Sequence, residues 1–388
     1  MQQVRMKTLS NETRISLARK IIILFFLCGI FLSFNLWTTD RVFPLLPVFG
    51  NTPLIGYPFD YVLAFALIAG LCIGFFKWPK WISLATLSIL LILLLEDQNR
   101  LQAWVYIYLL CLLVLAVPQR SADGQSNILL YLRILIIGMY IWSGIHKLNP
   151  HFIVVTWTSI LTDLFGITDE QSLKSLAMFG YCIPLIEIVF GFLLFFPKTR
   201  NTAVVLAATA HVFILVYLSP LGIDSNTVVY PWNFAMIGIV FVLFYGTTER
   251  FALVQYIRSN YRVSIVILFA WILPALNFAG LWDNYLSFAY YSCKTSTYYI
   301  VVSDAHADKL DKRLSEFFIH EKTVQGGKMI NISQWSLREL NVPLYPEHRA
   351  YKKVTKMFCG YGIPEDQLYF LELKPPPGEL IRSNCSGE

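Results

Sequence analysis

Apolar runs separated by short polar or proline-bearing stretches fill the first three quarters of the chain. The first, Ile21 to Trp37, follows Arg5, Lys7, Arg14, Arg19 and Lys20. That flank is like a signal peptide's, but no small-residue cleavage site follows, so the run reads as a first membrane anchor. Thr38 to Asp60, broken by Pro44, Pro47, Pro53 and Pro58, is a loop. Further spanning helices are predicted over Tyr61–Phe76, Trp81–Leu95 and Ala103–Val117, with Ser121–Asn127 as a polar turn before the fifth. His151–Phe179 is mixed: IVVTWTSILTDLF is apolar on one side and looks interfacial or re-entrant, and TDEQ at Thr168–Gln171 has capping-box spacing. A sixth helix runs on to Phe196, and three more cover Ala203–Leu218, Pro231–Tyr245 and Val263–Trp282. Several runs fall short of the ~20 residues a spanning helix needs, and flanking Trp and Tyr anchors extend them.

The fifth helix differs from the rest. In RILIIGMYIWSGIHKLNPHF, Arg133 to Phe152, the residues Arg133, Tyr140, Gly144 and Lys147 share one stripe at about 100° per residue, with Ser143 beside it. Ionisable groups at this depth face protein or a water-filled cavity. A helix-end lysine beside an interfacial tryptophan also snorkels to the headgroups, and the stripe favours a lined cavity.

After Trp282 the pattern changes. YYSCKTSTYYIVVSD alternates like a strand, Ala305–Phe318 has helical periodicity, and Lys328–Ile332 is a short strand. Arg349–Phe358 reads as a helix, Tyr369–Leu373 as the final strand, and PPPGE as the end of order. The chain thus divides at residues 1–284 and 285–388, the second a small α+β domain large enough for its own core.

Composition agrees with lipid as the main solvent: 56% of residues are hydrophobic and 14% charged. The net charge of +6 is spread between apolar segments, which excludes a nucleic-acid patch. Placing the N-terminus inside puts Arg5, Lys7, Arg14, Arg19, Lys20, Lys77, Lys80, Arg120, Lys198, Arg200, Arg250, Arg258 and Arg262 on the cytoplasmic side. Arg41, Arg100, Lys147 and Lys174 fall outside, as the positive-inside rule requires. Nine spans, an odd number, then make the C-terminal domain extracytoplasmic. There Cys293 and Cys359 could bridge, leaving Cys385 over. Of the seven cysteines, the first four lie in apolar segments, and no pair has C-x-x-C spacing.

Three polar groups are candidates for chemistry. Counting about 1.5 Å per residue puts Glu187 and His211 near mid-membrane, with Arg133 close enough to pair with Glu187. Such a network either serves a site or simply pins helices together. At the outer ends gather Asp97, Gln98, Arg100, Gln102, Lys147, Asn149, Trp232 and Asn233. A partly desolvated lysine there is a candidate base, with Asp97 matching Lys147 or Arg100 in the alternative of a plain ionic rim. His306, His320 and His348 lack ligand spacing, so no metal site is read. Walker, Rossmann, HExxH and G-x-S-x-G motifs are absent.

YIWSGIHKLNP, the amphipathic segment after it, His211 and the PWN of Pro231–Asn233 together resemble the HTTM family, membrane proteins similar to vitamin K-dependent gamma-carboxylase. The resemblance spans roughly Glu96–Tyr245. It implies several spanning helices, an extracytoplasmic C-terminal region, and Lys147 as a base acting on a reduced quinone. The G-x-x-K-L segment also looks like that of DoxX and MauE proteins, linked to redox or thiol handling. Two departures matter: His146 stands where the carboxylase has a second lysine, and the outer domain is far shorter. Peptide carboxylation is therefore not implied. Two functional readings follow. One is a quinone-linked or carboxylase-like membrane enzyme using Lys147, with His146 and Asp97 beside it. The other is a non-catalytic anchoring or assembly protein acting through its C-terminal domain.

Overall fold

The computed structural model describes residues 9–50, 54–117, 122–223, 227–251, 261–319, 326–375 and 378–386. Arg5, Lys7, Pro53, Arg120, Ser121, Arg258 and His320, used in the readings above, lie outside them.

Helix α1 (Asn11–Leu32) starts ten residues before the apolar run, because Ser10 accepts from the Thr13 N–H and caps it. It stops where the Ser33 hydroxyl bonds back to the Gly29 carbonyl at 2.7 Å, and Phe34–Trp37 forms a separate short turn. Next come α2 (Phe59–Phe76), α3 (Lys80–Glu96), α4 (Ala103–Leu115) and α5 (Ala122–Lys147). The expected polar turn at 121–127 is instead helical from Ala122, the opening of α5, where Ser126 accepts from Asn11 at 3.3 Å. Asn149 then caps a short turn, Pro150–Phe152, which continues as two π-helical segments to Leu164.

Helix α6 (Glu170–Leu193) is capped by Asp169, not by Thr168 as the TDEQ spacing suggests; Asp169 Oδ1 accepts from the Ser172 N–H at 2.8 Å. Helices α7 (Arg200–Leu218), α8 (Val229–Phe244) and α9 (Tyr261–Ala279) complete the bundle. α9 is α-helical only to Ile267 and then turns π and 3-10. Pro274 lacks the N–H that would continue the ladder, and Gly280, at φ +69°, ends it.

Among the described residues, six helices are long and apolar enough to cross a membrane: α1, α2, α5, α6, α7 and α9. Of α5's apolar stretch 83% is buried, against 17–39% for the other five, so α5 is the axis of the bundle. The lipid-type surface lies on the outer helices, as Phe65, Phe76, Trp81 and Phe192 show by their exposure.

The C-terminal domain is a four-stranded antiparallel sheet in the order β2-β1-β3-β4, formed by β1 (Thr297–Ser303), β2 (Gly327–Asn331), β3 (Leu368–Leu373) and β4 (Leu380–Ser383). Helices α10 (Ile332–Leu340) and α11 (His348–Cys359) belong to the same hydrophobic core, through Trp335 and Phe358 against Ile300 and Phe370. Ala305–Phe318 is two short 3-10 segments with Leu310 and Leu314 buried, not an α-helix. Order does not end at PPPGE. β4 pairs with β3 beyond it, and Cys385 bridges Cys359. The expected Cys293–Cys359 bridge is therefore excluded: Cys293 sits at the bundle end, its thiol 3.1 Å from the Thr156 hydroxyl.

This domain rests on one end of the bundle. Asn341 donates to the Leu32 carbonyl, Gln102 to the Pro343 carbonyl, and Asn99 accepts from the Tyr345 N–H at 2.8 Å. Arg349 pairs with Asp283 just past α9. The end of α1, the α3–α4 connection and the end of α9 thus share one face.

Candidate functional site

Arg133, Tyr140 and Lys147 lie seven residues apart on α5, so each is two turns from the next on nearly the same face. Each meets a different partner. Lys147 Nζ donates to Ser143 Oγ at 2.7 Å and to Glu187 Oε2 at 2.6 Å. Both charged side chains are largely buried, at 10% and 16% exposure. The contact depends on Gly144, where a Cβ would meet Ile188 Cγ1 at 2.6 Å and the Pro184 carbonyl at 2.8 Å. Absence of that carbon lets α5 and α6 approach closely enough to bring Glu187 to Lys147.

One level down, Tyr140 Oη lies 2.8 Å from His211 Nε2, and His211 Nδ1 lies 2.8 Å from Asn233 Oδ1. Asn233 Nδ2 donates to the Val229 carbonyl at 2.7 Å, which leaves its Oδ1 facing the imidazole. That oxygen only accepts, so Nδ1 carries the proton, and in the neutral imidazole Nε2 accepts the hydrogen bond that the Tyr140 hydroxyl donates. The result is a directed chain across three helices, from tyrosine to histidine to asparagine to backbone.

The third level is ionic and separate. Arg133 donates to the Leu243 carbonyl at 2.8 Å and to Glu249 at 2.7 Å, not to Glu187. Fourteen residues of helix set Arg133 about 21 Å from Lys147, and Glu187 stands at the Lys147 level. No arginine side chain bridges that rise. Arg14 joins Arg133 at the α8 C-terminus through the Val242 and Tyr245 carbonyls, and Arg200 binds Thr247 and the Glu249 carbonyl. Guanidinium groups suit the negative end of a helix dipole. The sequence showed Arg14 and Arg200 only as topological charges, because no local spacing announces a cap made by remote helices.

The remaining site residues fall elsewhere. His146 points away from the stripe, stacked on Phe278 with centroids 4.8 Å apart and its Nδ1 3.4 Å from Lys294 Nζ. Partial burial pulls the Lys294 ammonium below the ordinary lysine range. Asp97 is not joined to Lys147 or Arg100: it pairs with Arg41 and accepts from the Leu46 and Asn99 N–H groups. Arg100 pairs with Glu96 at 2.6 Å and reaches the Leu36 and Leu93 carbonyls. Both pairs are fully buried and hold the loop after α1 beneath the C-terminal domain. Asn149 ties the end of α5 to the Ser292 carbonyl at 3.1 Å, and Trp232 packs edge-on to Tyr290 at 5.1 Å. Among the described residues, no group of three His, Cys, Asp or Glu side chains is placed to hold a metal ion.

Comparison with protein-family models, curated proteins and solved structures finds no match to this chain. Fold and composition define a class: a helical membrane protein carrying a small sheet domain at one end.

Proposed function

We propose that the nine bundle helices among the described residues all cross the bilayer, with the N-terminus cytoplasmic and the C-terminal domain outside. The shorter α3, α4 and α8 complete the count, and α4 needs no full hydrocarbon match because nearly all of it is buried in protein. The positive-inside distribution supports the orientation.

Within that frame, Lys147 and Glu187 form a proton-transfer site for a lipid-soluble substrate, a quinone being the class the HTTM-like motif suggests. The observation carrying this reading is a buried lysine held by one carboxylate and one hydroxyl. Moving one proton from the ammonium to Glu187 leaves a neutral amine that can accept a proton from a substrate hydroxyl. Tyr140 and His211, one level below, supply a second exchangeable pair.

Lys147→Arg tests it, because guanidinium keeps the charge but does not release a proton. With a growth or envelope phenotype in a strain lacking the protein, Lys147→Arg should fail to complement while folding normally. Full complementation would leave the anchoring reading. That reading draws on the sheet face away from α11, where Tyr299, Tyr369 and Leu371 stay partly exposed.

A further inference from the structure

Between the starts of α4 and α8 and the underside of the C-terminal domain lies a cavity of about 300 Å3, at the small end for ligand pockets. Trp104, Trp232, Tyr285, Tyr290, Tyr291 and Tyr351 line it. Among the described residues, no charged side chain does. Its polar lining is confined to uncharged groups such as Gln102, Thr295 and Ser333.

The wall is held in a costly shape. Tyr291 and Cys293 both sit at φ +54°, and Phe288 just before them at +60°. Left-handed backbone is disfavoured for such side chains and persists where the surroundings over-determine it, often at ligand clamps. Here the surroundings are membrane helices and the segment after α5: Asn149 holds the Ser292 carbonyl, Thr156 the Cys293 thiol, and Tyr106 packs on Phe288 at 5.8 Å.

We propose that this cavity binds a small, uncharged, ring-bearing amphiphile. A charged ligand would be desolvated with no counter-charge in the wall. Flat rings gain from edge and offset contacts with the six aromatic side chains. Lys147, Glu187 and His211 do not line the cavity, so the inference stands apart from the proton-transfer reading.

Photolabelling of the full-length protein in nanodiscs tests it, with neutral 4-benzoylbenzamide and anionic 4-benzoylbenzoate as probes and mass spectrometry to locate the adducts. The neutral probe should label residues 284–295 and 343–351, and the anion at least tenfold less. Ala289→Phe, which fills the wall, should cut this labelling at least fivefold while labelling of lipid-facing α2 stays constant. Ser333→Leu, at a half-buried lining position, gives the same reading if Ala289→Phe does not fold. Equal labelling by both probes, or undiminished labelling in a filled variant with a wild-type unfolding midpoint, overturns the proposal.

Discussion

Lys147 and Glu187 meet at 2.6 Å across the α5–α6 contact, forty residues apart in sequence. Their meeting takes Glu187 out of the group that the sequence suggested with Arg133 and His211. A lysine–carboxylate–hydroxyl cluster stands at one end of the α5 stripe and an arginine clasp on the end of α8 at the other, with the Tyr140–His211–Asn233 chain between them.

The pairing makes a prediction about coupling. Glu187→Ala leaves a buried ammonium unpaired and should cost about 3 kcal/mol, as for a broken buried pair. Combined with Lys147→Ala it should cost much less than the sum of the two changes. Combined with Arg133→Ala it should be additive. Chemical unfolding in detergent of the wild type, the three single variants and the two doubles measures both couplings, and coupling of Glu187 to Arg133 would contradict the geometry.

Gly144 is predicted to be irreplaceable at this crossing. Its missing Cβ faces the Pro184 carbonyl at 2.8 Å, and backbone does not yield as a side-chain tip does. Gly144→Val should lower stability by about 1–3 kcal/mol through overpacking. Gly246, whose Cβ would meet nothing within 4 Å but whose φ is +68°, gives a contrasting case: its cost comes from backbone conformation alone. Thermal unfolding of both variants, with Glu187→Ala as background, shows the difference. Only the Gly144 change should lose part of its effect once Glu187 is gone.

Asn233→Leu should remove the tautomer lock on His211. It leaves His211 Nδ1 without its acceptor, at about 1–3 kcal/mol, while the Val229 carbonyl keeps the helical N–H of residue 233. Tyr140→Phe removes only the donor to Nε2 and should cost less. Nitrogen-15 NMR of labelled histidine reads the tautomer directly: Nδ1–H in the wild type, a mixture in Asn233→Leu.

Glu347 sets a pH dependence in the C-terminal domain. Burial pushes its carboxyl above the usual glutamate range, even though the Asn284 N–H donates to it at 2.8 Å. The folded state therefore holds this proton more tightly than the unfolded chain. Its stabilising contribution is present below the unfolded pKa and is lost as pH rises through the folded value. Glu347→Gln keeps the accepting oxygen and should stabilise the protein at pH 8 relative to the wild type, with the gain shrinking at pH 4. A gain independent of pH would show that charge burial is not its source.

Cys359 and Cys385 should be recovered as one disulfide-linked peptide, with Cys293 alkylatable after unfolding. Cys385→Ser should cost about 2–4 kcal/mol in the C-terminal domain, in line with typical disulfide losses. Proteolytic protection of the bundle should remain unchanged, since Cys385 lies beyond β4 and away from the docking contacts. Bridging through Cys293 would overturn the arrangement at the base of the sheet.

A phosphatase fused at Pro375 should be active and a cytoplasm-dependent reporter there silent, which tests the proposed orientation. The reverse result would invert the whole scheme.

By itself the sequence determined the run of apolar helices, the change to a sheet domain after Trp282 and the stripe of Arg133, Tyr140 and Lys147. These are local properties: hydropathy over a window and a repeat of 3.6 residues per turn are written into neighbouring positions. The sequence also singled out Glu187, His211 and Asn233, because polar groups in apolar runs are costly wherever they sit. Only the tertiary structure decided their partners. Pairing Glu187 with Lys147 rather than Arg133 depends on the vertical offset of α6 against α5, across the irregular segment from Pro150 to Leu164. Asp97 turns to Arg41 because the loop after α1 folds under the C-terminal domain, and Cys385 reaches Cys359 because β4 extends the sheet past a proline run. Each of these is a distance between segments remote in the chain, fixed by packing that no local pattern records.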